Sequence, residues 1–189
     1  MATTWAPYCI LKAMKYLRRL VWYIATRLMI FTCIAGLMTI AFYFSMNASN
    51  IYILLKDGLA KRAQVVMTGE GEEALEKYFS PTYLNRDPAL ATLKDGTNPY
   101  AHYQITGIDH RLNMEWVWCW PWEDEARATV VEQIPGIDGR ILSGYKSSTS
   151  EQQWTVPRWQ SGRYDVMLTR ENGHWRIRNM TLLKALDTP

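Results

Sequence analysis

The sequence predicts an α+β protein: one N-terminal transmembrane helix, then a domain in which two or three helices precede a mainly antiparallel sheet. Three observations predict it. Residues 28–55 carry no charge. From Ile51 to Val66 apolar residues recur at three- and four-residue spacing, the period of a helix with one buried face. From Tyr100 onward the period falls to two, and near the end two alternating runs flank Asn172-Gly173.

The stretch Leu28 to Phe44 (LMIFTCIAGLMTIAFYF) is densely apolar. A bilayer core about 30 Å thick takes about 20 helical residues, so residues 28–47 read as the transmembrane helix. Residues 1–27 are then a cytoplasmic basic segment and residues 48–189 an extracytoplasmic domain. A soluble helix of this length normally shows a polar stripe, and none is visible here. A cleaved secretory signal fits less well, because its apolar core is shorter and Met46 is bulky where a small residue is preferred.

Every charge before the span is basic: Lys12, Lys15, Arg18, Arg19 and Arg27. The positive-inside rule therefore holds the N-terminus in the cytoplasm and the domain outside, as in a single-pass protein of the cell membrane. Trp5 to Thr26 also carries Tyr8, Leu11, Met14, Leu17 and Val21 between those bases. It reads either as an amphipathic helix on the anionic leaflet, with membrane lipid as its partner, or as an extension of the spanning helix with snorkelling bases. Residues 56–189 carry 16 bases against 18 acids, so the net charge of +3 is local to the N-terminus. That balance argues against a nucleic-acid partner.

In the outer domain the stalk helix should stop near Thr68-Gly69-Glu70-Gly71. A second helix should start there, with Glu72, Glu73 and Glu76 at the positive end of its dipole, Leu75 and Phe79 on its apolar face and Pro81 ending it. Asp87-Pro88 is an N-cap before a first-turn proline and predicts a short helix to about Leu93. Tyr100 to Trp122 then reads as one long half-buried strand whose register shifts at Gly107. Its inward parity would carry Ile108, His110, Leu112, Met114, Trp116, Trp118, Trp120 and Trp122. Ala126 to Ile134 is a second strand ended by Pro135-Gly136. Residues 136–150 should be an exposed loop with at most a short strand near Ile141, and Gln152 to Trp159 a further strand. With Asn172 and Gly173 as turn residues, Leu168 faces Ile177, Arg170 faces Trp175 and Val166 faces Asn179. Asp165 would then lie diagonally near Arg178.

Helices, a long bulged strand and a meander ending in Tyr164 to Ile177 (YDVMLTRENGHWRI) together resemble the nuclear transport factor two-like superfamily over residues 51–186. The resemblance implies a cone-shaped domain of two or three helices packed on a curved sheet. With one span before it, the chain also resembles the bitopic assembly factors of type IV secretion and conjugation systems. Those are scaffolds, which implies a homo-oligomer and other envelope or secretion-complex proteins as partners.

Enzymes on such a cone use an Asp–His pair or a lone acid as general base, so His102, Asp109, His110, Asp165 and His174 are the residues to weigh. Asp109 and His110 are neighbours on a strand and point to opposite faces. His174 flanks the hairpin turn. His110 shares the inward parity of Trp116, which makes these two the possible lining of a pocket, although a core histidine without chemistry is the simpler account. The tryptophan row would pack in the core, because four exposed indoles at about 200 Å² each exceed the apolar patch usual for monomers. Trp120 and Trp122, at its end, are a possible partner surface. Cys9, Cys33 and Cys119 fall in three compartments, and Cys119 reads as a buried apolar side chain rather than a thiol linking two chains. No metal, phosphate or nucleophile motif appears, so the expectation is a non-enzyme without cofactors; the alternative is a ligand-binding or enzymatic cone with a pocket near His110.

Overall fold

The computed structural model describes residues 6–146 and 154–186, with side chains from Met14 onward. The protein is α+β: a long N-terminal apolar helix and a four-stranded antiparallel sheet. The chain divides into two compact units, Met1–Ser45 and Met46–Pro189. Helix α1 (Ala6–Thr68) runs through both. It is long and apolar enough to cross a membrane. Of the two readings of the N-terminal segment, its unbroken backbone fits the one in which that segment extends the apolar helix. Lys15, Arg18, Arg19 and Arg27 are exposed on it, and the Lys12 side chain lies outside the described residues.

Within the second unit α1 changes character. Ile51, Leu55, Leu59, Ala63 and Val66 are buried, as the three- and four-residue spacing requires. The helix ends at Gly69, whose φ of 73° is available to glycine without a Cβ clash. The Gly69 N–H donates to Val65 at 2.8 Å, and the Asn98 side-chain amide donates to the Val66 carbonyl at 2.8 Å. These bonds satisfy carbonyls that a helix end leaves open.

The segment after it is a 3₁₀ turn, Glu72–Lys77, rather than a full helix. Pro81 does not end that turn but opens the next element, α2 (Pro81–Leu84), with Ser80 as its N-cap. The proline lacks the N–H that a first helical position leaves unused anyway. α3 (Pro88–Lys94) starts as expected, with Asp87 Oδ1 accepting from the Ala89 N–H at 3.0 Å.

Strands β1 (Tyr103–Trp118), β2 (Glu125–Ile141), β3 (Gly162–Glu171) and β4 (His174–Ala185) pair in sequence order. β2 does not stop at Pro135. Asp109 pairs with Gly136 and Arg111 with Gln133, so Pro135 sits in a ladder irregularity where no donor is required, and pairing resumes to Ile141. Residues 136–141 of the expected loop 136–150 are therefore strand, followed by a single turn α4 (Ser143–Lys146), and residues 147–150 lie outside the described residues. No strand forms over the described part of 152–159. β3 is already paired on both sides, and Pro157 removes a donor from the segment.

The hairpin turn is as read: Asn172 and Gly173 have φ of 52° and 80°, the geometry of the tight turn that Asn-Gly favours. Leu168 pairs with Ile177 and Arg170 with Trp175. Beyond them Val166 pairs with Met180, not Asn179, because Arg178 is an extra residue on β4. Arg178 bonds Glu125 at 3.0 Å instead of approaching Asp165. The outer side of β4 is partly covered, since Ser80 donates to the Ile177 carbonyl and Ile177 to that of Tyr78. β1 is the other edge of the sheet. Ala128, Val130 and Ile134 of β2, Val166 and Leu168 of β3, and Trp175 and Ile177 of β4 join the buried residues of α1, with Leu75 and Phe79, in one core.

Candidate functional site

The same parity that buries Val130 also buries Glu132, which is wholly inaccessible. Its Oε1 lies 3.1 Å from Nε2 of His110, whose side chain is itself nearly buried, and its Oε2 has no partner among the described residues. His110 falls in the β1–β2 irregularity and keeps the inward parity expected of it. It borders a shallow cleft of about 450 Å³ with Asp57, Lys61, Gln64 and Tyr78.

A second buried pair joins α1 to α3. The Arg62 guanidinium donates to both oxygens of Asp87, at 2.5 and 2.8 Å. Burial alone would push the guanidinium pKa down, but the hydrogen bonds and charge of Asp87 reverse this and hold it above its usual value. Arg62 also lies 5.7 Å from the centre of the Trp159 ring, a cation–π contact. Asp87 thus serves twice, as helix cap and as counter-ion. Arg62 forms part of the wall of an open cleft of about 950 Å³, together with Arg86, Tyr100, Trp159, Tyr164 and Leu182.

Burial pushes the phenols of this region up: Tyr100 to about 12, and Tyr83 and Tyr164 also upward, with Arg62 pulling the latter two back down. Since the folded chain holds these protons above an ordinary phenol pKa of about 10, their contribution to stability should be level below pH 10. It should then fall as pH rises from 10 toward 12, where the unfolded chain ionises first. Urea midpoints measured against pH, with tyrosinate absorbance alongside, check this; Tyr100→Phe should make the alkaline decline shallower.

The tryptophan row is where the sequence reading fails. Met114 pairs with Val130 and Trp116 with Thr129, so Glu115 is an extra residue in β1. One extra residue reverses parity: Val117 now faces inward with Ala128, while Trp116 and Trp118 face outward with Thr129 and Arg127. Trp116, Trp118 and Trp122 are 50, 48 and 64% exposed and Trp120 is half-buried, so the row is not a core row. The rings are ordered against one another. Trp116 and Trp118 lie 6.5 Å apart and 7° from parallel, Trp118 and Trp120 5.5 Å apart and 3° from parallel, and Trp122 meets Trp120 edge-on at 4.8 Å. His110 and Trp116 consequently stand on opposite faces of the sheet and line no common pocket.

No family model, curated protein or solved structure matches the chain. The arrangement is accordingly read from its own chemistry. It offers an open basic and aromatic cleft, a buried His–Glu pair and an exposed aromatic row beside a sheet edge. Of the other acids and bases weighed, Asp109 is held by Arg111 at 2.6 Å on the surface, and the His102 ring lies against Tyr145, tilted by 32°, with ring centres 4.0 Å apart. Asp165 is paired in register with Thr129 and Thr181, away from the inward parity, and His174 adjoins the hairpin turn. Among the described residues, no group of three His, Cys, Asp or Glu is placed to hold a metal ion. Cys119 is fully buried, and burial pushes its thiol pKa up against the pull of Arg170.

The sequence reading missed Glu132 and the Arg62–Asp87 pair. Each left a signal. Glu132 is the one charge on the apolar parity of β2 within Ala126 to Ile134, and Arg62 occupies a position in the apolar spacing of α1.

Proposed function

We propose that this is a non-catalytic, single-pass membrane protein whose extracytoplasmic domain mediates protein–protein assembly in a secretion, conjugation or other envelope complex. The domain is read as a cone-shaped member of the nuclear transport factor two-like superfamily, with the N-terminus in the cytoplasm. The observation that carries the assembly reading is the outward-facing Trp116–Trp118 stack at the end of the edge strand β1. Exposed, mutually ordered aromatics beside an unshared strand edge suit a second copy of the chain, because association covers apolar area and continues the sheet together. Light scattering of the full-length protein in mild detergent tests this. A defined oligomer that dissociates on Trp116→Ser with Trp118→Ser is the expected result, and a monomeric wild type would overturn it.

One observation favours a second reading, a ligand-binding domain. The 950 Å³ cleft has the size of a small-molecule site, and Arg86 on its wall makes no ion pair among the described residues. It lies elsewhere than His110. A ligand that raises the melting temperature of wild type but not of Arg86→Ala would establish this reading.

A further inference from the structure

The turn between β1 and β2 is tied to the helix at one defined place. Arg170 donates from Nη2 to Oδ1 of Asn47 at 3.0 Å, and from its backbone N–H to the Asp124 carbonyl at 2.7 Å. Its guanidinium carbon lies 4.4 Å from the centre of the Trp175 ring. The turn, the 172–173 hairpin tip and Asn47 therefore share one end of the domain. Asn47 is also the last residue of the stretch read as membrane-spanning.

We propose that Trp120 and Trp122 rest in the headgroup layer of the outer leaflet, giving the domain a second contact with the lipid surface. The inference rests on the reading that residues 28–47 span the membrane with the domain outside. The hydrocarbon ends at Asn47, and the polar layer beyond it is about 5–8 Å deep on each side. An arginine side chain links Asn47 to Asp124, and two residues of chain from Asp124 to Trp122 span at most about 7 Å. The whole path, side chain and hydrogen bonds included, is at most roughly 20 Å, so the turn stays within reach of that boundary. Indoles prefer this layer, where the ring is shielded and the N–H stays hydrated.

The construction of the turn fits such a role. Cys119 is wholly buried and the Glu123 N–H closes onto the Trp120 carbonyl at 3.2 Å, so the two indoles are carried on a fixed frame. Trp122 is the most exposed ring of the row. Glu123, Asp124 and Glu125 follow directly and are exposed, and among the described residues Glu125 forms an ion pair with Arg178. Arg127, Arg170 and Arg178 adjoin these acids, so the charges at this end nearly balance and suit a zwitterionic surface better than an anionic one. Trp118 and Trp116 stand about 7 Å further along the strand with each step of two residues.

The test uses full-length protein in phosphatidylcholine vesicles, diluted so that most vesicles hold one chain, with a photoactivatable phosphatidylcholine reactive near its headgroup. Labelled positions are mapped by peptide mass. Label is expected both at the ends of residues 28–47 and on the peptide 119–124. Trp120→Ser with Trp122→Ser should remove most of the second and leave the first unchanged, as should Trp122→Ser alone to a smaller degree. Label confined to residues 28–47 would overturn the inference while leaving the membrane anchor standing. Label at neither place would overturn the anchor itself. Undiminished label at 119–124 in the double variant would overturn the role given to the indoles.

Discussion

Arg62→Ala lowers the stability of the outer domain by about 3–5 kcal/mol, the cost of removing one partner from a buried ion pair. Both groups lie out of solvent: the side chain of Arg62 is 7% exposed and that of Asp87 not at all. Removing the guanidinium leaves a carboxylate that has lost two short hydrogen bonds and, among the described residues, keeps the Ala89 N–H. The effect should depend on charge, not on packing alone. Arg62→Met keeps most of the stem volume and should be nearly as damaging, whereas Arg62→Met with Asp87→Asn should recover most of the loss. The asparagine keeps the N-cap acceptor for α3 without leaving a buried charge. Pulse proteolysis of the full chain in mild detergent against urea measures the three variants. If the double variant is no more stable than Arg62→Met, the cost belongs to packing and the pair is not what holds α3 to α1.

How much of this was legible in the sequence follows from the range over which each signal acts. The Asn172-Gly173 turn and the Asp87-Pro88 helix start were read at the correct residues, because both depend on dihedral preferences of adjacent residues. The register shift at Gly107 was legible for the same local reason: pairing slips between Ile105 and Gly107. The extra residues at Glu115 and Arg178 were not, since neither carries a glycine and each is decided by its partner strand. An alternation count assumes constant register, so one undetected bulge turned Trp116 and Trp118 from core to surface. The continuation of β2 past Pro135 failed likewise, as a proline is tolerated wherever the facing strand leaves a gap in the ladder. In the candidate site, the inward placement of His110 was legible and its partner Glu132 was not weighed, although the partner's parity was in plain view.

That partner gives the second large effect, which should change sign with the number of residues replaced. Glu132 is fully buried, its Oε1 bonded to His110 and its Oε2 to nothing among the described residues. His110→Ala should cost about 1–3 kcal/mol, because it strands the remaining carboxylate oxygen in the core. Replacing both residues, His110→Leu with Glu132→Met, removes the desolvation cost along with the bond and should be neutral or stabilising by about 1–4 kcal/mol. The comparison also shows whether the pair does more than fill the core. If the pair is a relic of packing, the double variant keeps whatever oligomer the wild type forms. If the pair shapes a surface or binds something in the adjoining cleft, the more stable protein is the less functional one, a trade expected where a site retains a polar group that the fold would be more stable without. Urea midpoints and light-scattering masses of the same two variants, read together, decide between them.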